Sequence, residues 1–170
     1  MLRPTDFFDL DGYEHKSLFF DSRVEYVWDA LKLLGDYLDQ TTVPEIRGQV
    51  MEGAFILDDK VYIAPGSEVE PGAVIKGPTY IGANTQVRQG AYVRGNVLVG
   101  DNCVVGHSTE IKNSILLNNA HAAHLPRDVS EGDEYQADDG DHPGRLRVVT
   151  LGDEFGHGEL AEFPQVRCEE

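Results

Sequence analysis

Residues 81–114 read IGANTQVRQGAYVRGNVLVGDNCVVGHSTEIKNS, and a branched aliphatic residue recurs at every sixth position of this stretch. Neither an α-helix, with its period of about 3.6 residues, nor an ordinary strand, with its period of 2, requires such spacing. The pattern also extends beyond the stretch. Ten consecutive six-residue units open with Leu, Ile or Val, at Leu57, Ile63, Val69, Ile75, Ile81, Val87, Val93, Val99, Val105 and Ile111.

The fifth position of each unit is restricted as well, to small or medium-sized residues. Gly, Asn, Asp and Pro cluster between the two positions, as turns require. Such a unit fits one short strand and one corner of a triangular coil, so that three units form an 18-residue rung. The aliphatic side chain points into the prism, and each buried Val or Ile contributes roughly 1.5–3 kcal/mol. The sequence therefore predicts a parallel β-solenoid of about four rungs.

Two registers fit the last part of the repeats. Continuing the count of six from Ile111 would point His121 into the prism, whereas a slip of one residue would place Ala120 inside and His121 outside. Because burying an unpaired imidazole is costly, we favour the slip.

The segment before the repeats contains one amphipathic helix. In the stretch that starts at Ser22, apolar residues recur at three- and four-residue steps, at Val24, Val27, Trp28, Leu31, Leu34 and Leu38. Ser22 and Glu25 form a capping-box pattern, which predicts the start of the helix. The polar face is acidic and does not favour a membrane surface. We expect the helix to pack on the end or flank of the solenoid, or on a partner subunit.

The composition narrows the classes of partner. The 170 residues include 14 Lys and Arg against 30 Asp and Glu, a net charge of −16. An acidic surface repels nucleic acid and anionic membranes, so we expect neither as a partner. A small anionic ligand needs only a local basic patch. No secretory signal or transmembrane run is evident, which predicts a cytoplasmic protein. Cys103, at a fifth position, is expected to be a buried and inert thiol.

From Pro126 the repeats stop, and the rest of the chain is acidic and aperiodic. Residues 145–151, RLRVVTL, could form one strand, and most of the remainder reads as poorly ordered. The predicted organisation is therefore a helical segment (1–45), a β-solenoid (46–125) and an acidic tail (126–170). The last rung is expected to end in an exposed sheet edge.

A candidate anion site follows from the spacing. Arg94 and Lys112 are 18 residues apart and both take the second position of their units, so they should lie on one face, one rung apart. Two cations about 5 Å apart repel each other unless an anion lies between them. A phosphate is suited to this position, and a solvated basic pair is the alternative.

Residues 91–125, AYVRGNVLVGDNCVVGHSTEIKNSILLNNAHAAHL, closely resemble the acetyltransferase half of bacterial bifunctional UDP-N-acetylglucosamine synthesis enzymes. They resemble even more a shorter group, often named UDP-N-acetylglucosamine pyrophosphorylase-like or nucleotidyltransferase-like, in which a helical piece precedes the repeats. The resemblance implies a left-handed parallel β-helix and a homotrimer. It also implies acetyl transfer from acetyl-CoA to an amino-sugar phosphate of the glucosamine 1-phosphate type.

The same resemblance assigns roles to four residues. The phosphate-binding Arg and Lys of the family fall on Arg94 and Lys112, and a supporting Glu falls on Glu110. The catalytic His falls on His124, which would remove a proton as the substrate amine attacks the thioester. Imidazole suits this role because it exchanges protons near neutral pH. No metal is expected at this site.

The resemblance ends after residue 125. A Tyr that the family has three places after the catalytic His is Arg127 here, and the later rungs, which hold coenzyme A, have no counterpart. A shifted reading frame, a chimeric gene model or a divergent tail would each explain this end. The absent rungs motivate the hypothesis that the chain is inactive. A non-catalytic sugar-phosphate-binding or assembly module is the alternative function.

Two further functions are weighed against the residues. VGHSTEIK around His107 is similar to γ-class carbonic anhydrases, but their second His is replaced by Lys112, and a cationic amine is a poor zinc ligand. A nucleotidyltransferase would need a Gly-rich loop to hold the triphosphate, and the repeats supply only turns. Neither function is favoured.

Overall fold

The computed structural model describes residues 3–122 and, as a backbone strand, residues 148–150. Two α-helices and a 3-10 turn come first, namely α1 (Pro4–Phe7), the turn at Lys16–Leu18 and α2 (Asp29–Thr41). The strands are β1 (Glu45–Ile46), β2 (Gln49–Val50), β3 (Phe55–Ile56), β4 (Val61–Ile63), β5 (Glu68–Val69), β6 (Val74–Ile75), β7 (Thr79–Ile81), β8 (Gln86–Val87), β9 (Tyr92–Val93), β10 (Val97–Val99), β11 (Val104–Val105), β12 (Glu110–Ile111), β13 (Ser114–Leu116), β14 (His121–Ala122) and β15 (Val148–Thr150).

Every third strand along the solenoid stacks on the same sheet. Sheet A has the order β1-β4-β7-β10-β13-β15, sheet B the order β14-β11-β8-β5-β2, and sheet C the order β12-β9-β6-β3. The strands pair in parallel except for β13 and β15, which are antiparallel. The chain adds one strand to each of the three sheets in turn and so forms a three-sided coil, which confirms the predicted hexapeptide-repeat β-helix.

The aliphatic residues that open the six-residue units form the core of this coil. All those from Ile63 to Val105 are fully buried, and Ile111 is partly buried against them. Leu57 is the exception, since it is 58% exposed. Ile56 takes the inward position instead because it pairs with Ile75. The count that began at Leu57 was therefore wrong at its first unit.

The rungs deviate from 18 residues at both ends of the coil. At the start, Val50 pairs with Val69, 19 positions later. At the other end, Leu116 pairs with Val99, 17 positions earlier, so one residue is skipped. The predicted slip is thus confirmed: Ala120 is buried and His121 is exposed.

The slip also changes which residue takes the fifth position of the unit that begins at Ile111. Ser114 pairs with Val97 and is buried, whereas the unbroken count assigned Ile115 to this place. Ile115 lies on the outer face of the sheet, buried beneath the N-terminal segment. Continuing the count of six would have pointed Ile115 into the coil, but a single skipped residue moves every following side chain to the other face.

Polar residues in the fifth positions form a hydrogen-bond ladder inside the coil. Ser67 Oγ accepts a hydrogen bond from the Thr85 backbone N–H, with an N···O distance of 2.9 Å. Thr85 Oγ1 in turn accepts from the Cys103 N–H at 3.0 Å and donates to the Gly100 carbonyl oxygen at 2.9 Å. These hydroxyl groups satisfy backbone groups that no strand pairing reaches, so they stabilise the stacking of successive rungs.

Cys103 continues this ladder as a buried thiol, as predicted. Its side chain is 1% exposed, and Sγ donates to the Leu117 carbonyl oxygen at 3.1 Å. Burial raises the pKa of the Cys103 thiol to about 11. The thiolate is therefore scarce at neutral pH, which makes this cysteine a poor nucleophile.

The corners require the left-handed backbone conformation that Gly and Asn adopt most readily. Positive φ angles recur at equivalent positions of successive rungs, at Gly66, Asn84, Asn102 and Asn119 in one corner, at Gly72, Gly90 and Ser108 in the second, and at Asn96 and Asn113 in the third. The clustering of Gly and Asn between the units is thus explained by corner geometry.

The N-terminal segment covers the outer face of sheet A. Leu34 and Leu38 of α2 are buried in one cluster with Leu98 and Ile115 of the sheet. This arrangement confirms that the helix packs on the flank of the solenoid. Within residues 3–122, Arg94 and Glu110 on sheet C are exposed to solvent.

The helix begins later than its sequence predicts. α2 starts at Asp29, and the Asp29 carboxylate accepts hydrogen bonds from the backbone N–H of Tyr26 at 2.9 Å and of Glu25 at 3.3 Å. The chain is thus held in a turn just before the helix. Ser22 and Glu25 do not form the predicted capping box, because the Asp29 carboxylate takes the Glu25 N–H that the Ser22 hydroxyl group would otherwise accept from.

His15 fastens the N-terminal segment to sheet A. The side chain is 7% exposed, its Nδ1 lies 3.0 Å from Tyr37 Oη, and its ring meets that of Tyr80 edge-on at 4.3 Å between centroids. Burial lowers the pKa of His15, while the nearby Glu14 carboxylate partly opposes the shift. The neutral imidazole is therefore the form that the folded state favours.

One sheet edge at the end of the repeats is paired. β15 forms an antiparallel pair with β13, with Val149 opposite Ile115. The predicted strand within residues 145–151 is therefore confirmed. The expectation of an exposed edge at the last rung was wrong for sheet A, because β15 supplies the backbone partners that β13 would otherwise lack.

Candidate functional site

Sheet C brings together the two cations that the spacing predicted. Strands β9 and β12 pair in register, with Val93 opposite Ile111, and the Arg94 backbone N–H donates to the Ile111 carbonyl oxygen at 2.9 Å. Arg94 and Lys112 each follow these strands directly. They therefore occupy equivalent positions on successive rungs, which are about 4.8 Å apart.

A third cation extends this arrangement by one rung. Ile75 of β6 pairs with Val93, and the Lys76 N–H donates to the Val93 carbonyl oxygen at 2.9 Å. Lys76, Arg94 and Lys112 thus form a basic column along the end of sheet C. The sequence reasoning missed Lys76, although it lies 18 residues before Arg94 and takes the second position of its unit.

Tyr92 lies beside Lys76 and Arg94, two of the three members of the basic column. Lys76 Nζ is 5.3 Å from the centroid of the Tyr92 ring, and Arg94 Cζ is 5.9 Å from it. Each cation–π contact at a site of this exposure is worth about 0.5–1 kcal/mol. The ring therefore helps to hold both charged groups at the sheet surface.

Glu110 supplies a counter-charge within the site. Its carboxylate accepts a hydrogen bond from Arg94 Nη1, and the two side chains are 55% and 37% exposed. An ion pair this exposed contributes at most about 1 kcal/mol, so a phosphate can compete with Glu110 for the guanidinium group. The contact also corrects the expectation that only a bound anion would relieve the repulsion beside Arg94.

The column with Glu110 carries a formal charge of +2 in a chain whose net charge is −16. Repulsion between unit charges one rung apart is roughly 1 kcal/mol in water and roughly 3 to 4 kcal/mol at an effective dielectric constant of 20. A dianion bound along the column would relieve this repulsion. The electrostatics therefore favour a phosphate over a neutral ligand.

Glycines make the tight corner beside the column possible. A Cβ atom on Gly95, which follows Arg94, would lie 2.5 Å from the Gly77 carbonyl oxygen, and the φ angle of Gly95 is +92°. A Cβ atom on Gly77, which follows Lys76, would lie 2.6 Å from the Lys60 carbonyl oxygen. Only glycine fits these positions, so the corner fixes where the Lys76 and Arg94 side chains begin.

The N-terminal helix borders this corner on its far side. A Cβ atom on Gly35 of α2 would lie 3.2 Å from Asn96 Oδ1, and Asn96 Nδ2 donates to Asn113 Oδ1 at 3.1 Å. Asn96, two residues after Arg94, and Asn113, the residue after Lys112, thus lie together at this corner, with Asn96 against the helix. This packing limits the motion of the backbone that carries the two cations.

Other candidate residues lie elsewhere or are not described. His107 is exposed at the corner after β11, and His121 is exposed on sheet B, so neither shares a face with the basic column. His124, the predicted base, lies outside the described residues. Its role therefore stays a prediction.

A surface cleft of about 510 Å³ lies in the N-terminal segment. It is lined by Arg3, Pro4, Thr5, Phe19, Phe20, Asp21, Ser22, Val24 and Glu25. None of these residues belongs to the basic column. The cleft and the predicted phosphate-binding residues are therefore different places on the molecule.

Part of the repeat region matches a known family. Residues 78–113 match the family described as bacterial transferase hexapeptide (six repeats). This range contains Tyr92, Arg94, Glu110 and Lys112, while Lys76 lies just before it. The description of this family names a transferase and no substrate. No curated protein matches the chain at a significant level.

The described residues hold neither a cluster of metal-ligating side chains nor a membrane-spanning helix. Among residues 3–122, no group of three or more His, Cys, Asp and Glu side chains is placed to hold a metal ion. No helix in the described part of the chain is long and apolar enough to cross a membrane.

Proposed function

We propose that the chain is a hexapeptide-repeat transferase that moves an acetyl group from acetyl-CoA to an amino-sugar phosphate of the glucosamine 1-phosphate type, within UDP-N-acetylglucosamine synthesis. The observation that carries this proposal is the alignment of Arg94 and Lys112 on successive rungs of sheet C. The match of residues 78–113 to a transferase family supports the reaction class.

The chemistry of the two cations suits a phosphate monoester. The planar guanidinium group of Arg94 can donate two parallel hydrogen bonds to phosphate oxygens, and the Lys112 ammonium adds a compact positive charge. Glu110 holds Arg94 in place before the phosphate arrives. It then lies where it can accept a hydrogen bond from a hydroxyl or amine group of the bound sugar.

In the reaction, the free amine of the sugar attacks the thioester carbonyl carbon of acetyl-CoA. A C–N bond forms, the C–S bond breaks, and coenzyme A leaves as the thiol. His124 is proposed to take the proton that the amine loses and to return one to the departing sulfur. The chain's part in this step is to fix the phosphate, so that the amine is held close to the base.

A non-catalytic sugar-phosphate-binding or assembly module is the second candidate. The observation that favours it is the end of the family resemblance after residue 125, where the rungs that hold coenzyme A have no counterpart. This candidate requires the same phosphate contacts. It differs only in the absence of acetyl transfer.

Calorimetric titration with glucosamine 1-phosphate tests the shared part of both proposals. Replacing Arg94 or Lys112 with glutamine removes a charge-assisted hydrogen bond worth about 1.5–3 kcal/mol, which should weaken binding about 10- to 100-fold. Arg88→Gln is the matched control, because Arg88 takes the same position of its unit on sheet B. Equal weakening in all three variants would show that only net charge matters and would refute the site.

Acetyl transfer is measured separately, as coenzyme A thiol released from acetyl-CoA in the presence of the sugar phosphate. Transfer by the wild-type chain that is lost in His124→Ala but kept in His121→Ala supports the enzyme. Binding of glucosamine 1-phosphate without any transfer supports the binding module instead. Absence of both binding and transfer overturns the two proposals together.

A further inference from the structure

Lys76 is the member of the basic column that the proposed function leaves unused. Its side chain is half-buried, its ammonium group lies over the Tyr92 ring, and it follows β6 as Arg94 follows β9. The family match begins after it, at residue 78. Its position must therefore be interpreted from the geometry of the column.

No carboxylate within residues 3–122 pairs with Lys76. The ion pairs of the neighbouring cations are made elsewhere: Glu110 pairs with Arg94, and Asp39 pairs with Lys60 at 2.8 Å. Lys76 and Arg94 both lie near the Tyr92 ring, so two like charges share this part of sheet C and repel each other. An aromatic ring offsets only part of this cost, so the position favours a bound anion.

The three cations define two neighbouring anion positions. One lies between Arg94 and Lys112. The other lies between Lys76 and Arg94, one rung closer to the N-terminus and about 4.8 Å away. Arg94 is common to both, and its guanidinium fork has five N–H donors, enough to contact two phosphate groups at once. Two phosphates joined through one bridging oxygen are long enough to reach side chains from three rungs, given the flexible stem of lysine.

We propose that the basic column is a diphosphate-binding site, in which Lys76 and Arg94 hold one phosphate group while Arg94 and Lys112 hold the other. This inference rests on the proposed phosphate site and goes beyond it, because it assigns a second anion position and a ligand class with two linked phosphates. Free pyrophosphate and a nucleoside diphosphate share this chemistry. The Tyr92 ring contacts both Lys76 and Arg94, so Tyr92 is assigned as a positioning residue for the second phosphate.

The experiment compares the affinity of the full chain for inorganic phosphate, inorganic pyrophosphate and uridine diphosphate by titration calorimetry at fixed ionic strength. The wild-type chain should bind pyrophosphate about tenfold or more tightly than phosphate. In Lys76→Gln this preference should disappear, while the affinity for phosphate stays within about twofold. Lys76→Arg keeps the charge and should restore at least part of the preference.

Arg88→Gln has the same net charge as Lys76→Gln and serves as the control, and a thermal melt of each variant reports its folding. If Lys76→Gln weakens phosphate and pyrophosphate equally, or if Arg88→Gln has the same effect, the second position is refuted. Phosphate binding through Arg94 and Lys112 with no preference for pyrophosphate refutes this inference and leaves the proposed function standing. Binding of neither anion refutes both.

Uridine diphosphate distinguishes the two sources of the diphosphate. If uridine diphosphate binds with the same affinity as pyrophosphate, the column contacts only the two phosphate groups. Tighter binding of uridine diphosphate shows that the nucleoside adds contacts and supports a nucleotide ligand. Weaker binding than that of phosphate would show that an esterified diphosphate does not fit the column, which would overturn the assignment for nucleotides and keep it for pyrophosphate alone.

Discussion

Replacing Thr85 with valine would break the hydrogen-bond ladder inside the solenoid at its centre. Valine has nearly the shape of threonine, so packing is conserved and the loss of the hydroxyl group is the main change. Thr85 is fully buried, and its hydroxyl group both donates to the Gly100 carbonyl oxygen and accepts from the Cys103 N–H. Both backbone groups would be left without a partner inside the buried core.

The structure provides a matched control in Thr79. This residue is also fully buried in a fifth position, but its hydroxyl group makes one hydrogen bond, to the Lys76 carbonyl oxygen at 2.7 Å. Its neighbours on the adjacent rungs, Val61 and Val97, show that valine fits this column. The same substitution therefore leaves one backbone group without a hydrogen-bond partner at Thr79 and two at Thr85.

The expected loss of stability follows from the number of backbone groups that lose their hydrogen-bond partner. Each unsatisfied buried group costs about 1–3 kcal/mol, so Thr85→Val should lower the free energy of unfolding by about 2–6 kcal/mol. Thr79→Val should lower it by about 1–3 kcal/mol. Urea titrations followed by circular dichroism would measure both values, and an unchanged slope with denaturant would show that the variants unfold from the same native structure.

Equal losses of stability for the two variants would refute this reasoning. That result would mean that the hydroxyl of Thr85 does not satisfy the Cys103 N–H, or that water replaces it without cost. A larger loss for Thr79→Val would refute it more strongly, because the single hydrogen bond would then outweigh the ladder.

Two further predictions concern the N-terminal segment. Since burial lowers the pKa of His15, the unfolded chain binds its proton more readily than the folded chain does. The contribution of His15 to the free energy of unfolding should therefore be fully present above pH 6.5 and should fall as the pH drops below that value, by at most about 1.4 kcal/mol per pH unit. Urea titrations between pH 5.5 and 7.5 should show this slope in the wild type. An equal slope in His15→Gln would contradict the prediction. Leu34→Ala should lower the free energy of unfolding by about 2–5 kcal/mol because Leu34 is fully buried against sheet A. Lys32→Ala, on the exposed side of the same helix, should cost less than about 1 kcal/mol, and fluorescence of Trp28 reports both.

The site shows where reasoning from sequence succeeds and where it stops. Arg94 and Lys112 could be aligned from the order of residues alone, because a fixed rung length turns a spacing of 18 residues into adjacency. The same arithmetic applies to Lys76. What it could not give is the position of the ammonium group over Tyr92 or the contact between Arg94 and Glu110, since these depend on side-chain rotamers and not on spacing.

The ends of the solenoid illustrate the same limit. The period of six identifies the interior rungs because each must fill the same prism, and it fails at Leu57, where the first rung has only one neighbour and its length is free to vary. The start of α2 was also missed, since the Asp29 carboxylate competes for backbone N–H groups that a continuous helix would use.

The amino-acid sequence by itself determined the three-sided coil, the inward aliphatic column and the face that carries the cations, because each of these follows from a repeat whose period the backbone must obey. The tertiary structure decided how the N-terminal helix covers sheet A and how Tyr92 and Glu110 contact the basic column. The physical reason is that contacts between residues distant in the chain have no period, and their geometry is set only when the rungs and the helix pack together.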